Sequence, residues 1–188
     1  MPSPNQTPNA SVTDRMPCSL VRDHVPVVNG LKLGMTPAQV LALFPGSNDD
    51  GEVRSSLALP PSRFGTSSFL ITPDKYKVEG KSAGISQITL SLLDGQVSGF
   101  NVGYKGAEWP DVDKFIAKFT EGTVLPPADA WEARVGLDTQ MKTLTCNDFA
   151  IKIFAGGRGG LNYVEIRDLE ADKKLKERKD KARQKAKP

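Results

Sequence analysis

One histidine, two cysteines and no apolar run approaching eighteen residues set the first limits on this chain of 188 residues. With His24 alone there is no pair of imidazoles to hold a metal, and a Cys18/His24 or Ser19/His24 pair lacks the helix-start or elbow context that activates a nucleophile. No H-E-x-x-H, G-x-S-x-G or Walker sequence occurs. The chain is therefore expected to be non-enzymatic, without cofactor or metal. No membrane-spanning helix is predicted. The opening MPSPNQTPNA has neither a basic start nor an apolar core, so the sequence as it stands predicts no export, and a periplasmic or extracytoplasmic place would need a signal peptide that these residues do not supply.

Cys18 and Cys146 lie 128 positions apart, far from any C-x-x-C spacing. Three arrangements suit them: two unrelated buried thiols, a disulfide pinning the start of the fold to a central strand, or metal ligation. A bridge over so long a loop would contribute roughly 4–5 kcal/mol by chain entropy. It would also place the protein in an oxidising compartment.

Charge of one sign is scarce until the end of the chain. Residues 173–188 hold nine Lys or Arg against Glu177 and Asp180, a net of +7. The whole chain carries +3, so residues 1–172 carry −4. No aromatic residue interleaves with the basic ones, which argues against base stacking and leaves nucleic acid as a minor prospect for residues 173–187. The pairs Glu170/Lys174, Asp172/Lys176 and Glu177/Lys181 have the acid-before-base i, i+4 spacing that supports an isolated helix. Residues 169–188 are expected to form a solvated basic helix without an apolar stripe.

What is present is mostly architecture. Residues 31–46 (LKLGMTPAQVLALFPG) write both ends of a short helix. Thr36 is the N-cap, Pro37 takes the first helical position, Gln39 completes a capping box, and Pro45-Gly46 stops the helix. Residues 47–52 (SNDDGE) read as a solvated turn cluster without the ligand spacing of an EF-hand, residues 57–63 as a connector, and residues 64–72 as a strand. Ile88, Leu90 and Leu92, then Asp94-Gly95, then Phe100, Val102 and Tyr104 form a hairpin with one apolar face. A two-residue loop would pair Leu90 with Gly99 and turn Phe100 outward. A three-residue loop with Gly95 in a G1 bulge would pair Ile88 with Phe100 and keep one face apolar, and is the expected turn.

A second helix opens at Trp109-Pro110-Asp111, with Val112, Phe115, Ile116 and Phe119 on one face, and three strands follow over residues 138–145, 149–155 and 161–168. The two helix starts lie about 74 positions apart. The expected fold is α+β: helices on one face of antiparallel sheet, in two α-β-β-β units over residues 18–107 and 108–168, after a disordered leader at 1–17. The glycine-rich run at 156–160 precedes a strand rather than a helix, so a hairpin loop is expected, with Arg158 at its tip.

At Leu31-Lys32-Leu33 followed by Gly34-Met35-Thr36-Pro37-Ala38-Gln39-Val40 the chain resembles the Gly-Met-Thr-x-x-x-Val opening of BamE/SmpA/OmlA-like small lipoprotein domains. The tandem organisation is similar to that of the β-lactamase inhibitory proteins. The resemblance implies a binding module of bacterial-envelope type that engages a protein or envelope component through a sheet face or loops. It carries over no contact residues, and Met16-Pro17-Cys18 lacks the small residues that precede a lipidated cysteine. Contact candidates are the aromatic and loop residues Tyr104, Trp109, Trp131 and Arg158. The alternative is a cytosolic adaptor that carries its Lys/Arg helix to a polyanion.

Overall fold

The computed structural model describes residues 18–76, 84–105, 111–135, 140–156 and 162–185. The leader expected over residues 1–17, Trp109 and Arg158 lie outside these residues. Among the described residues four α-helices and seven strands follow in the order α1 (Pro37–Leu41), α2 (Gly51–Ala58), β1 (Thr66–Ile71), β2 (Ile85–Leu93), β3 (Gln96–Tyr104), α3 (Val112–Thr120), β4 (Glu132–Val135), β5 (Gln140–Thr145), β6 (Phe149–Ala155), β7 (Asn162–Asp168) and α4 (Leu169–Lys185). All seven strands join one antiparallel sheet in the order β1-β2-β3-β7-β6-β5-β4. The two expected units share that sheet through the β3/β7 pair, where Phe100 faces Ile166 and Val102 faces Val164. The second unit has a strand more than expected, β4, a four-residue edge that shows too little alternation to stand out in the sequence.

The first helix is built as its letters dictate. The Thr36 N–H donates to the Gln39 side chain at 2.8 Å and the Gln39 N–H to Thr36 Oγ1 at 3.4 Å. The α-helix is shorter than the apolar pattern, and its last turns bring Phe44 into the core before Gly46, at φ 92°, turns the chain. Gly34 and Met35 have a tertiary role: the Gly34 N–H donates to the Val97 carbonyl and the Val97 N–H to the Met35 carbonyl, which fastens the helix entry to the start of β3. A tight Val28-Asn29-Gly30-Leu31 turn, with Asn29 and Gly30 both at positive φ, precedes it and buries Leu31.

Two expectations for the next segments are corrected. Residues 47–52 are not a free loop: Asp50 caps α2 by accepting from the Glu52 and Val53 N–H groups, and residues 57–58 end that helix instead of opening a connector. Only Val53 of α2 is buried, so the helix has no apolar stripe to betray it. The hairpin turn is a two-residue loop, with Leu93 facing Gln96 and both Asp94 (φ 53°) and Gly95 (φ 76°) left-handed. The register is corrected inside β3. Ser91 faces Gly99 while Leu92 faces Val97, so Ser98 is an extra residue. That bulge, tied by Ser98 Oγ donating to the Ser91 carbonyl, turns Phe100 inward opposite Leu90. The apolar face survives by a bulge in the strand instead of one in the loop.

In the second unit Asp111 caps α3, which buries Val112, Phe115 and Ile116. Ile151 faces Ile166 and Ile153 faces Val164, so the shared apolar face is realised. One continuous core lies between the sheet's inner face and α1, α2 and α3.

Candidate functional site

The sheet's two faces differ sharply. Along β6 and β7 the inward side chains of Phe149, Ile151, Ile153, Val164 and Ile166 are fully buried, whereas Lys152, Phe154, Tyr163 and Glu165 between them are only partly buried. Alternation of period two makes one face core and the other surface. On that outer face the Phe154 and Tyr163 rings stack with centroids 4.8 Å apart, and Met141 of β5 is the cross-strand partner of Phe154. Lys152 pairs with Glu165 across the same strands at 2.7 Å. The result is an apolar, partly exposed patch beside a neutralised ion pair. The rings of such a surface can be desolvated without stranding a charge.

The other half of the outer face is a cleft of about 460 Å³ between the β1-β2-β3 strands and α4. Its wall mixes the hydroxyls of Thr66, Ser68, Thr89 and Ser91 on the strands with apolar Leu93 and, on the helix, Leu175. Arg167 is bonded to Asp172, so its charge is already met. α4 follows β7 without a break, and Asp168 accepts from the Ala171 N–H to start it. From Leu169 to Arg178 the helix rises about 13 Å, close to the width of three strand spacings of about 4.8 Å. Arg178 thereby reaches the far corner of the sheet, where it bonds Asp94 and donates to the Phe64 carbonyl at 2.7 Å.

The expectation of a wholly solvated helix is therefore corrected in part. No residue of α4 is buried, yet its cations take tertiary partners. Lys174 pairs with Asp94, not Glu170, and Asp172 with Arg167, not Lys176. Between them Arg178 and Lys174 hold the Asp94 carboxyl well below the usual carboxylate range. The sequence pattern shows only spacing along the helix; it carries no signal that a turn eighty-four positions away offers a better anion.

Two of the expected contact residues lie elsewhere. Trp131 is fully buried and its Nε1–H donates to the Pro126 carbonyl at 3.0 Å, so it is a core residue. Tyr104 is half-buried, its ring edge-on to Phe115 at 5.5 Å, and burial pushes its hydroxyl up to about 12. The residues that do occupy the open face, Phe154 and Tyr163, were readable as outward from the alternation of β6 and β7. An outward aromatic in a strand is ordinary until a cross-strand partner is known.

Cys18 and Cys146 are brought to disulfide-bonding distance, with Cα atoms 4.5 Å apart. The same arm is stitched to the β5-β6 turn by the Arg22 N–H donating to Asp148 and by Asn147 donating to the Ser19 and Leu20 carbonyls. Arg22 also pairs with the buried Asp168 at 3.0 Å. His24 is exposed, accepting at Nδ1 from the Val21 N–H. Among the described residues no three His, Cys, Asp or Glu side chains gather as a metal site, and no helix is long and apolar enough to cross a membrane. No protein-family model, curated protein or solved structure matches this chain.

Proposed function

We propose that the protein is a non-enzymatic binding protein of bacterial-envelope type that seats a protein partner on the outer face of β5, β6 and β7. The observation that carries this reading is the stacked Phe154–Tyr163 pair, with Met141 beside it, partly exposed on the sheet face opposite the core. Aromatic anchors flanked by polar side chains are the composition of interface centres. The Cys18–Cys146 pair supports a compartment outside the cytosol, where a bridge at that distance persists.

The test is affinity capture from an extract of the native cells, with the wild-type chain beside a Phe154→Lys/Tyr163→Lys variant checked for wild-type circular dichroism. A protein retained by the first and lost by the second supports the reading. An identical set of captured proteins, or none, overturns it.

A further inference from the structure

We propose that a second site, the cleft between the Arg63-Phe64-Gly65 corner and the last turns of α4, binds a phosphate-bearing anion. The cleft has a volume of about 540 Å³ and is walled by Arg63 on one side and by Arg178, Lys181 and Lys185 on the other. Among the described residues Asp94 supplies the one carboxylate of that wall, and both its oxygens are committed: Oδ1 accepts from Arg178 Nη1 at 2.8 Å, and Oδ2 accepts from Arg178 Nη2 at 2.8 Å and Lys174 Nζ at 2.7 Å. Among the described residues no carboxylate lies within ion-pairing distance of Arg63, Lys181 or Lys185. Three cations from two separate elements thus face one cavity uncompensated.

Of the three, Arg63 has a ring beneath it. Arg63 lies over the Phe64 ring, 4.7 Å from its centroid, which holds the guanidinium plane. The Phe64 carbonyl is held in turn by Arg178. Gly65 leaves the corner open for that contact: a Cβ there would come within 2.4 Å of Asp94 Oδ1 and 2.7 Å of Arg178 Nη1. Lys181 and Lys185 are one helical turn apart, a like-charge pair that costs an isolated helix stability and that a bound anion relieves. A group with two or three negative charges matches three cations, and the planar Arg63 fork suits phosphoryl oxygens in pairs. A volume of about 540 Å³ admits a phosphate ester or a lipid headgroup.

This site is distinct from the Phe154–Tyr163 face and does not depend on that reading. The full chain is titrated with inorganic pyrophosphate at about 0.15 M salt, where diffuse attraction is screened within about 8 Å, while backbone amide NMR shifts are followed. Saturable shifts at residues 63–65 and 181–185 are expected, weakened at least tenfold by Arg63→Gln and by Lys181→Gln and unchanged by Lys173→Gln on the exposed side of α4. In parallel, vesicles of phosphatidylcholine with and without phosphatidylglycerol are sedimented with the same proteins; capture that needs phosphatidylglycerol, Arg63 and Lys181 assigns the phosphate to a lipid. The proposal is overturned if neither probe binds, or if Lys173→Gln weakens binding as much as Lys181→Gln, which would make the attraction a property of the helix charge as a whole.

Discussion

Arg178 and Asp94 meet across eighty-four positions in a two-pronged ion pair, Nη1 to Oδ1 and Nη2 to Oδ2 both at 2.8 Å. No side chain of α4 is buried, so this pair, together with Lys174–Asp94, Asp172–Arg167 and the Arg178 bond to the Phe64 carbonyl, ties the C-terminal helix to the sheet.

Removing the pair should free the helix and leave the core intact. Asp94→Asn keeps a residue that tolerates the left-handed turn and loses the charge. Amide exchange in the last turns of α4 should accelerate several-fold in this variant while β6 and β7 stay protected. Gly65→Ala should do the same, because its Cβ would intrude on both partners and its φ of 81° strains an alanine. The acid dependence follows from the lowered Asp94 carboxyl. The folded value lies below the unfolded one, so the clamp contributes fully above about pH 4 and is lost as pH falls through the lowered folded value. Exchange rates in α4 measured from pH 6 downward check the sign.

A second linkage runs through Asp50 and Tyr76. The Tyr76 hydroxyl donates to Asp50 at 2.8 Å, Lys75 sits at 3.3 Å, and the Asp50 carboxyl is brought down to about 2. Burial first, and then that hydrogen bond, push Tyr76 up to about 12. Stability from Asp50 is therefore lost as pH falls from about 4 to about 2. Stability tied to Tyr76 is lost as pH rises from about 10 to about 12. Alkaline ultraviolet titration should show late-ionising tyrosine that Tyr76→Phe and Tyr104→Phe each diminish, and Asp50→Ala should lower Tm by uncapping α2.

Helix capping, the strand alternation and the α+β class were legible because they are local: Thr36 and Gln39 are three residues apart, and Ile151 and Ile153 declare their face alone. The bulge at Ser98 was not, because a one-residue slip can be absorbed in the turn or in the strand, and the sequence demands only that it be absorbed somewhere. Helix α2 carries no apolar stripe, only Val53 being buried, and Gly51 after Asp50 reads as a turn. The face bearing Phe154 and Tyr163 was hidden for another reason: outward strand positions become a surface only when the order β7-β6-β5 sets them side by side.

Trp131 fills the core, so Trp131→Ala should cost about 3–5 kcal/mol, read from the urea midpoint at unchanged m-value, with the additional loss of the Nε1–H partner for the Pro126 carbonyl.

The cysteine pair closes a loop of 128 positions. Unfolded, unreduced protein should show no free thiol. Reduction should remove roughly 4–5 kcal/mol of stability, the chain-entropy value for so long a loop, and a denaturant titration with and without reductant measures it.

The open sheet face is tested most directly by placing a photo-reactive benzoylphenylalanine at Thr143, on the outer face beside Lys152, or at Ser55, on exposed α2, and irradiating each protein in an extract of its native cells. One discrete crosslinked protein is expected from the Thr143 position, absent when Phe154→Lys is added and absent from the Ser55 position. Crosslinking from Ser55 alone, or from neither position, would contradict it.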